Sequence, residues 1–199
     1  MDIRFSKNSI AFEKEINNLD KLALEFTSAL NKCKIKYVII SGYVAILFGR
    51  SRASEDIDLF MERIDYHRFS LLWEELASKF ICINTSNPIE AYNEYLSNNT
   101  AIRFSRNGEF VPNMEIKFPK QELDFWSLEH PIRVSLNKAD IIISPLELQI
   151  PFKLVLGTEK DIEDARYLYK LFEGKLNKDL IDQFVRKLKI EEKFRKYLS

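Results

Sequence analysis

Two aspartates separated by one residue, Asp56 and Asp58, are the side chains of this chain whose type and spacing best suit catalysis. They lie in the segment DIDLFM, residues 56–61, where carboxylates alternate with apolar side chains as in a half-buried strand. Side chains two residues apart on a strand leave the same face. Two neighbouring carboxylates repel each other unless a cation lies between them, and their hard oxygens suit Mg²⁺ or Mn²⁺. The pattern indicates a divalent-metal site, and the alternative is a solvent-facing acidic edge.

A candidate phosphate site precedes this aspartate pair. Residues 37–40 are apolar and partly β-branched, and they predict a buried strand that runs directly into Ser41-Gly42 and a helix over residues 43–49. The start of a helix presents free backbone N–H groups and the positive end of the helix dipole, which favour anions. A phosphate site would therefore lie beside the metal site. A simple tight turn is the alternative for Ser41-Gly42 taken alone.

The elements that must position these residues follow from the hydrophobic periodicity. Apolar residues at three- and four-residue steps predict an amphipathic helix over residues 11–32. A strand is expected at residues 80–83. Asn107-Gly108 is a strong signal for a hairpin, and residues 137–139 are a weaker one.

The second part of the chain has a different character. From Pro145 onward the pattern is helical, with several short helices. This change predicts an α/β domain over residues 1–144 and a helical C-terminal region over residues 145–199.

Composition excludes several classes of protein. The chain has 199 residues, of which 46% are hydrophobic, so it can bury the core of a single domain. Lys and Arg number 30, as do Asp and Glu, and this balance excludes a generally polybasic nucleic-acid binder. Cys33 and Cys82 are too few for a disulfide framework or a zinc site.

Location is inferred from the absence of targeting signals in the sequence. No apolar stretch reaches the ~20 residues of a membrane-spanning helix. The N-terminal run MDIRFSKNSIAFEKE carries charges throughout, unlike the apolar core of a signal peptide. We therefore expect a cytoplasmic protein with no membrane partner.

The run SGYVAILFGRSRASEDIDLF, residues 41–60, resembles the signature of the DNA polymerase β-like nucleotidyltransferase superfamily. That signature is a Gly-Gly or Gly-Ser pair opening a helix, followed by a D-x-D or D-x-E pair on the next strand. The approach from Arg52 to Asp56 is similar to the small prokaryotic branch, which includes abortive-infection type toxins and minimal stand-alone enzymes. The resemblance implies an α/β fold of the α+β type: a nucleotidyltransferase-like mixed sheet with flanking helices, followed by a small C-terminal helical bundle.

A second motif supports the same resemblance. PLELQIPFKLVLGTEKDIEDARYL, residues 145–168, resembles the helical motif of that branch, in which a lysine is followed by Lys/Arg-Asp and then by a second Asp. In this sequence the matching residues are Lys153, Lys160, Asp161 and Asp164. Lys153 precedes an apolar run, an unusual place for an amine, which favours a phosphate contact. Salt bridges to the α/β core are the alternative for Asp161 and Asp164. The nucleotide-binding residues implied by the two motifs are Ser41, Gly42, Arg52, Lys153, Lys160 and Asp161.

The superfamily has a third metal carboxylate on a strand beside the D-x-D strand. Glu115, in the run NMEIKF, is the first candidate because its apolar neighbours alternate with it and face the other way. Asp124 is the second candidate. Lys117 shares the face of Glu115, so the alternative for Glu115 is a surface ion pair with this lysine.

These motifs together predict a metal-dependent nucleotidyltransferase. It would transfer a nucleoside monophosphate from its NTP substrate to a hydroxyl acceptor and release pyrophosphate. Asp56, Asp58 and Glu115 are the predicted catalytic residues and the predicted ligands of Mg²⁺ or Mn²⁺. The sequence leaves the acceptor open among RNA, protein and a small molecule, and it leaves open a partner protein or a homodimer.

Tyr43 departs from the pattern of the superfamily because a bulky residue follows the glycine. Its ring is expected either to crowd the phosphates or to stack on a base. This departure supports the alternative function, a catalytically inactive nucleotide-binding regulator or a toxin–antitoxin type interaction protein with the same fold.

Overall fold

A single mixed sheet runs through the protein. The structure is a computed structural model that describes residues 3–6 and 8–198, and residues 1, 2, 7 and 199 lie outside the described part of the chain. Within those ranges the sheet has nine strands in the order β1-β2-β8-β9-β3-β4-β7-β6-β5. The strands are β1 (Arg4–Ser6), β2 (Ser9–Phe12), β3 (Tyr37–Ile39), β4 (Asp56–Met61), β5 (Phe80–Cys82), β6 (Ile102–Arg106), β7 (Asn113–Lys117), β8 (Ile132–Leu136) and β9 (Ala139–Ile143).

Helices flank the sheet and form the C-terminal part of the chain. They are α1 (Asn18–Lys32), α2 (Gly42–Leu47), α3 (Tyr66–Ala77), α4 (Pro88–Glu90), α5 (Glu122–Glu129), α6 (Leu146–Leu156), α7 (Glu159–Leu171), α8 (Lys178–Leu188) and α9 (Glu191–Leu198). After α4, a π-helical turn (Ala91–Tyr95) and a 3₁₀ turn (Leu96–Asn98) lead towards β6. Side-chain caps begin several helices, for example Asn17 at α1 and Asp65 at α3, because each accepts a hydrogen bond from an otherwise unpaired N–H of the first turn.

The centre of the sheet sets the geometry of the candidate site. Strand β4 is antiparallel to β3 and parallel to β7. The register between β4 and β7 puts Asp56 beside Asn113 and Asp58 beside Glu115. Paired residues on neighbouring strands project from the same face. The two aspartates and Glu115 therefore share one face of the sheet.

The two faces of the sheet differ in what covers them. Helices α1 and α3 pack on one face, where Phe26 and Trp73 contact the ring of Phe104 on β6. Helix α5 packs against β3 and β4 on the face that bears Asp58 and Phe60. The carboxylates thus lie on the face that α5 covers only in part.

The described elements confirm the expected fold class: a mixed sheet with flanking helices, followed by helices alone. The last strand ends at Ile143, and helix α6 begins at Leu146. Buried residues of both parts, such as Phe48 and Phe172, pack into the same hydrophobic core. The division of the chain into two domains at residue 144 stays a prediction.

The structure corrects the predicted helix over residues 11–32. Helix α1 begins at Asn18, and residues 9–12 form strand β2 instead. Phe12 is buried there opposite Leu136 of β8. Strand β2 lies between β1 and β8, and β8 is more than a hundred residues away, so the local periodicity could not show that pairing.

The two predicted hairpins are both present, with different turns. Leu136 pairs with Ala139 in the second hairpin, so its turn is Asn137-Lys138, and both residues have positive φ as tight hairpin turns require. In the first hairpin, β6 and β7 pair from Ser105 and Asn113, so the connection is longer than Asn107-Gly108.

Among the residues that the structure describes, no helix has both the length and the apolar character needed to cross a membrane.

Candidate functional site

The carboxylates of the D-x-D pair and Glu115 lie together on the sheet, as the register requires. Asp56 is exposed at the start of β4, whereas the side chains of Asp58 and Glu115 are only 19% and 14% exposed. Ile57 and Leu59 alternate with them and are fully buried, which anchors β4 in the core. The structure therefore places these three carboxylates on one face, but in unequal environments.

Two cations already contact these carboxylates. The ammonium of Lys117 lies 3.2 Å from Asp58 Oδ1 and 3.4 Å from Glu115 Oε1, so it bridges the two side chains. Arg103, on the neighbouring strand β6, donates from Nε and Nη2 to Glu115 Oε2 at 2.9 and 2.6 Å. Both oxygens of Glu115 thus have a cationic partner. The alternative role of Glu115, an ion pair with Lys117, is present in the structure.

The electrostatics of Asp58 reflect this crowding. Burial raises the pKa of the Asp58 carboxyl above its ordinary value, and the negative charges of Glu115 and Asp56 raise it further, although Lys117 opposes them. Burial alone would lower the pKa of Lys117, but Asp58 and Glu115 together raise it. Lys117 therefore stays protonated, while Asp58 loses its proton less readily than an ordinary aspartate.

The donor set fits a divalent metal in part. Asp56 and Asp58 offer hard carboxylate oxygens on one face, which suit Mg²⁺ or Mn²⁺. Within residues 3–6 and 8–198, however, no group of three or more His, Cys, Asp or Glu side chains converges closely enough to hold a metal ion. Since Arg103 and Lys117 engage Glu115, the two aspartates are the residues that fit such an ion best.

The turn at Ser41-Gly42 has an unusual backbone. Ser41 has φ 65° and ψ −141°, a conformation that residues with a side chain rarely adopt. Its N–H donates to Gln149 Oε1 at 3.3 Å, and Gln149 is buried on α6. Backbone strain of this kind is common where a loop binds a ligand.

The guanidinium of Arg52 lies against the glycine of this turn. A Cβ atom at position 42 would be 3.0–3.1 Å from the guanidinium atoms of Arg52, closer than most real contacts. The structure thus brings the predicted nucleotide-binding residues Gly42 and Arg52 into direct contact. The guanidinium lies where helix α2 begins, the position predicted to receive phosphate.

A cavity of about 180 Å³ opens beside these groups. Its polar lining includes Ser41, Asp58, Lys117, Asp124 and Lys153. Its apolar lining comes from the residue after β3 and from β4, α5 and α6, and consists of Ile40, Phe60, Leu123, Leu148, Phe152 and Leu156. The cavity therefore joins the turn after β3 to the D-x-D strand, and one side of it is apolar.

Lys153 has a protein partner. The ammonium is 1% exposed and lies 2.7 Å from Asp164 Oδ2 of helix α7, which is fully buried. Arg50 binds Oδ1 of the same carboxylate, and Arg52 Nη1 lies 2.5 Å from Oδ2. Three cations therefore surround one buried aspartate. Asp164 thus forms structural salt bridges, which were the alternative interpretation of this residue. A phosphate contact by Lys153 stays a prediction.

The remaining predicted residues have local structural contacts. Asp161 Oδ2 accepts from the hydroxyl of Thr158, the N-cap of α7, and its Oδ1 is 3.5 Å from Lys153. Lys160 is exposed, and its carbonyl accepts from Arg50. Asp124 Oδ2 accepts from two backbone N–H groups before α5, so it caps that helix while also lining the cavity.

Tyr43 faces the core and not the phosphate site. Its side chain is 1% exposed, and its hydroxyl donates to Asp20 Oδ1 at 2.8 Å. Burial and the adjacent negative charge of Asp20 hold the pKa of Tyr43 well above its ordinary value. The expectation that this ring crowds the phosphates or stacks on a base is wrong, because the first turn of α2 directs the side chain inwards.

Sequence reasoning missed three residues of this region. Arg50 and Arg103 carry no motif signal, because their partners Asp164 and Glu115 lie on elements distant in the chain or across the sheet. Gln149 lies inside the second motif, in the run LQIPFK, but nothing in its type predicts a contact with the backbone of Ser41. Only the alternating pattern of NMEIKF pointed towards Lys117.

Comparisons with known proteins identify the fold. No protein-family model matches the chain, and a search of curated proteins finds no match. A solved structure described as an antigenic nucleotidyltransferase-like protein from Paracoccidioides brasiliensis is similar to it. The two share 16% identity with a TM-score of 0.51, over 88% of this chain and 92% of that chain. The fold is therefore nucleotidyltransferase-like, while membership of the small prokaryotic branch stays a prediction.

Proposed function

We propose that this protein is a metal-dependent nucleotidyltransferase that transfers a nucleoside monophosphate from an NTP to a hydroxyl acceptor. The observation that carries the proposal is the shared face of Asp56, Asp58 and Glu115, beside the Ser41-Gly42 turn, in a nucleotidyltransferase-like fold. A catalytic pair and a phosphate-binding turn are the two parts that such a reaction needs at one place.

The triphosphate would bind where helix α2 begins. The strained backbone of Ser41 and the guanidinium over Gly42 support this location, since backbone N–H groups and an arginine together favour phosphate oxygens. The apolar side of the cavity, formed by Phe60, Leu123 and Phe152, suits the nucleoside.

Each carboxylate has a role in the proposed reaction. Asp56 and Asp58 would hold Mg²⁺ or Mn²⁺, which neutralises charge on the triphosphate and on the departing pyrophosphate when bound. Glu115 would accept the proton of the acceptor hydroxyl. The hydroxyl oxygen would then form its bond to the α-phosphorus as the bond between that phosphorus and pyrophosphate breaks. The reaction needs positioning and charge neutralisation rather than a covalent nucleophile.

One observation favours the alternative of a nucleotide-binding regulator without turnover. Arg103 and Lys117 engage both oxygens of Glu115, so neither oxygen is free to accept a proton from an acceptor hydroxyl. Tyr43 no longer supports this alternative, because its ring is buried away from the turn. A regulator would bind NTP with the metal and release no pyrophosphate. An interaction protein of the toxin–antitoxin type would do neither.

The purified protein should be incubated with each α-labelled NTP and Mg²⁺ or Mn²⁺. Separate pools of total RNA, protein and small molecules from a cell lysate serve as acceptors. We expect a labelled product in one pool together with pyrophosphate release, which identifies the nucleotide and the acceptor class. If all three pools stay unlabelled and no pyrophosphate is released while NTP binds, the result would favour the regulator.

Matched variants test whether the site carries the activity. Asp58→Asn removes one charge from the carboxylate face with little change of shape, and it should abolish labelling. Asp182→Asn makes the same change at an exposed position of α8 and should leave labelling intact. Equal labelling by the two variants would contradict the proposal.

A further inference from the structure

The ammonium of Lys117 lies between the carboxylates of Asp58 and Glu115. The register of β4 and β7 pairs Asp58 with Glu115 and Phe60 with Lys117. From this position the ammonium lies 3.2 Å from Asp58 Oδ1 and 3.4 Å from Glu115 Oε1. The position between two carboxylates on adjacent strands is thus filled by a cation of the protein itself.

The charges of the face support the same conclusion. Asp56, Asp58 and Glu115 bring three negative charges, and Lys117 and Arg103 bring two positive ones. A single divalent ion is then enough to make the face positive towards a triphosphate. A second divalent ion would have to displace the ammonium, because like charges cannot share the gap between the same two oxygens.

The burial of Lys117 and its two carboxylate partners makes displacement of the ammonium unfavourable. Lys117 is only 29% exposed, and Asp58 and Glu115 are less exposed still, so solvent screens the ion pairs weakly. Asp56 differs from both: it is exposed, and the contact that the structure gives to its carboxylate is a 3.4 Å hydrogen bond from Ser54 Oγ to Oδ1. Of the two aspartates of the D-x-D pair, Asp56 is therefore the one whose carboxylate is open to solvent.

From this geometry we infer that Lys117 stands in for one metal ion, so that the site takes a single divalent cation, held by Asp56 and Asp58. Glu115 is then paired with Lys117 and Arg103 and is not a metal ligand. The inference rests on the proposed function and gives that site its metal stoichiometry.

Mn²⁺ alone is the probe, and its binding is counted by electron paramagnetic resonance of the free ion and by titration calorimetry. The parent protein should bind one Mn²⁺. Lys117→Met should bind a second ion, and its overall affinity for Mn²⁺ should rise by about tenfold or more, because the substitution removes a positive charge that lies beside the carboxylate oxygens. The melting temperature of this variant should be lower than that of the parent without metal and should rise more when Mn²⁺ is added.

Three further variants complete the test. Lys117→Arg keeps the charge and should bind one ion. Lys117→Gln provides a neutral substitution if the methionine variant does not fold, and it should also take up a second ion. Lys79→Met removes a lysine from an exposed turn after α3 and should match the parent.

The outcomes separate this inference from the proposed function. Two ions on the parent, or one ion with unchanged affinity on both neutral variants, would overturn the inference and leave the proposed function standing. If Mn²⁺ bound to no variant, even with a non-hydrolysable NTP analogue present, the proposed metal dependence would fail as well.

Discussion

Substitution of Asp164 should lower the stability of the protein, because this residue joins helix α7 to the loop that precedes the D-x-D strand. Its carboxylate is fully buried and accepts from Lys153 at 2.7 Å, from Arg52 at 2.5 Å and from Arg50. Asp164→Asn keeps the shape but leaves three cations together, two of them only 16–18% exposed and one 1% exposed.

The expected loss follows from the cost of an uncompensated buried charge. Removing one partner of a buried ion pair lowers the free energy of unfolding by about 3–5 kcal/mol. For a protein of this size that corresponds to a fall in melting temperature of roughly 6–20 °C. Because Arg52 lies over Gly42, the affinity for NTP should fall together with the stability.

The comparison with Lys153→Met sharpens this prediction. That variant leaves Asp164 with its two arginines, so the loss should be smaller, about 1–2 kcal/mol. Asp182→Asn, at an exposed position of α8 beyond its first turn, is the control and should melt like the parent. Thermal and denaturant unfolding of the variants measure the differences. An Asp164→Asn protein within about 0.5 kcal/mol of the parent would refute the structural role of the cluster.

Four other variants test the site. Asp58→Asn should match the parent without metal or exceed its stability by about 0.5–2 kcal/mol, because the raised pKa of Asp58 means that its ionised form is disfavoured in the fold. A raised pKa of the Asp58 carboxyl lowers the stability of the parent as pH rises from about 3.9 through the folded-state pKa. The melting temperatures of the parent and of Asp58→Asn should therefore coincide at low pH and diverge towards neutrality. A variant that melts well below the parent would contradict this. Glu115→Gln should lower turnover more than NTP affinity, whereas Asp124→Ala should cost about 1 kcal/mol through its lost cap. Pyrophosphate release and calorimetry show which carboxylate matters, and turnover lost only in the Asp124 variant would reverse the assignment. Gly42→Ala should displace Arg52 and weaken NTP binding with a smaller effect on stability, and unchanged affinity in calorimetry would count against a phosphate site there.

The sequence by itself determined the local features of this protein. The alternation in residues 56–61 predicted strand β4 with both aspartates on one face, because side-chain direction along a strand depends only on position. The turn from strand to helix at Ser41-Gly42 and the helical C-terminal region were likewise predicted from local sequence patterns. The resemblance of these motifs also predicted the fold that the structural comparison supports.

Tertiary structure alone decided the partners of these side chains. Residues 9–12 form a strand between β1 and β8, and no local pattern shows a partner as far along the chain as β8. Tyr43 faces Asp20 instead of the phosphate site, since the packing of α2 against the core sets its direction. Lys117 bridges Asp58 and Glu115 because the register of two parallel strands brings the three side chains together. A sequence shows which residues carry charge, but the energy of a charge depends on burial and on its neighbours, and only the folded chain determines both.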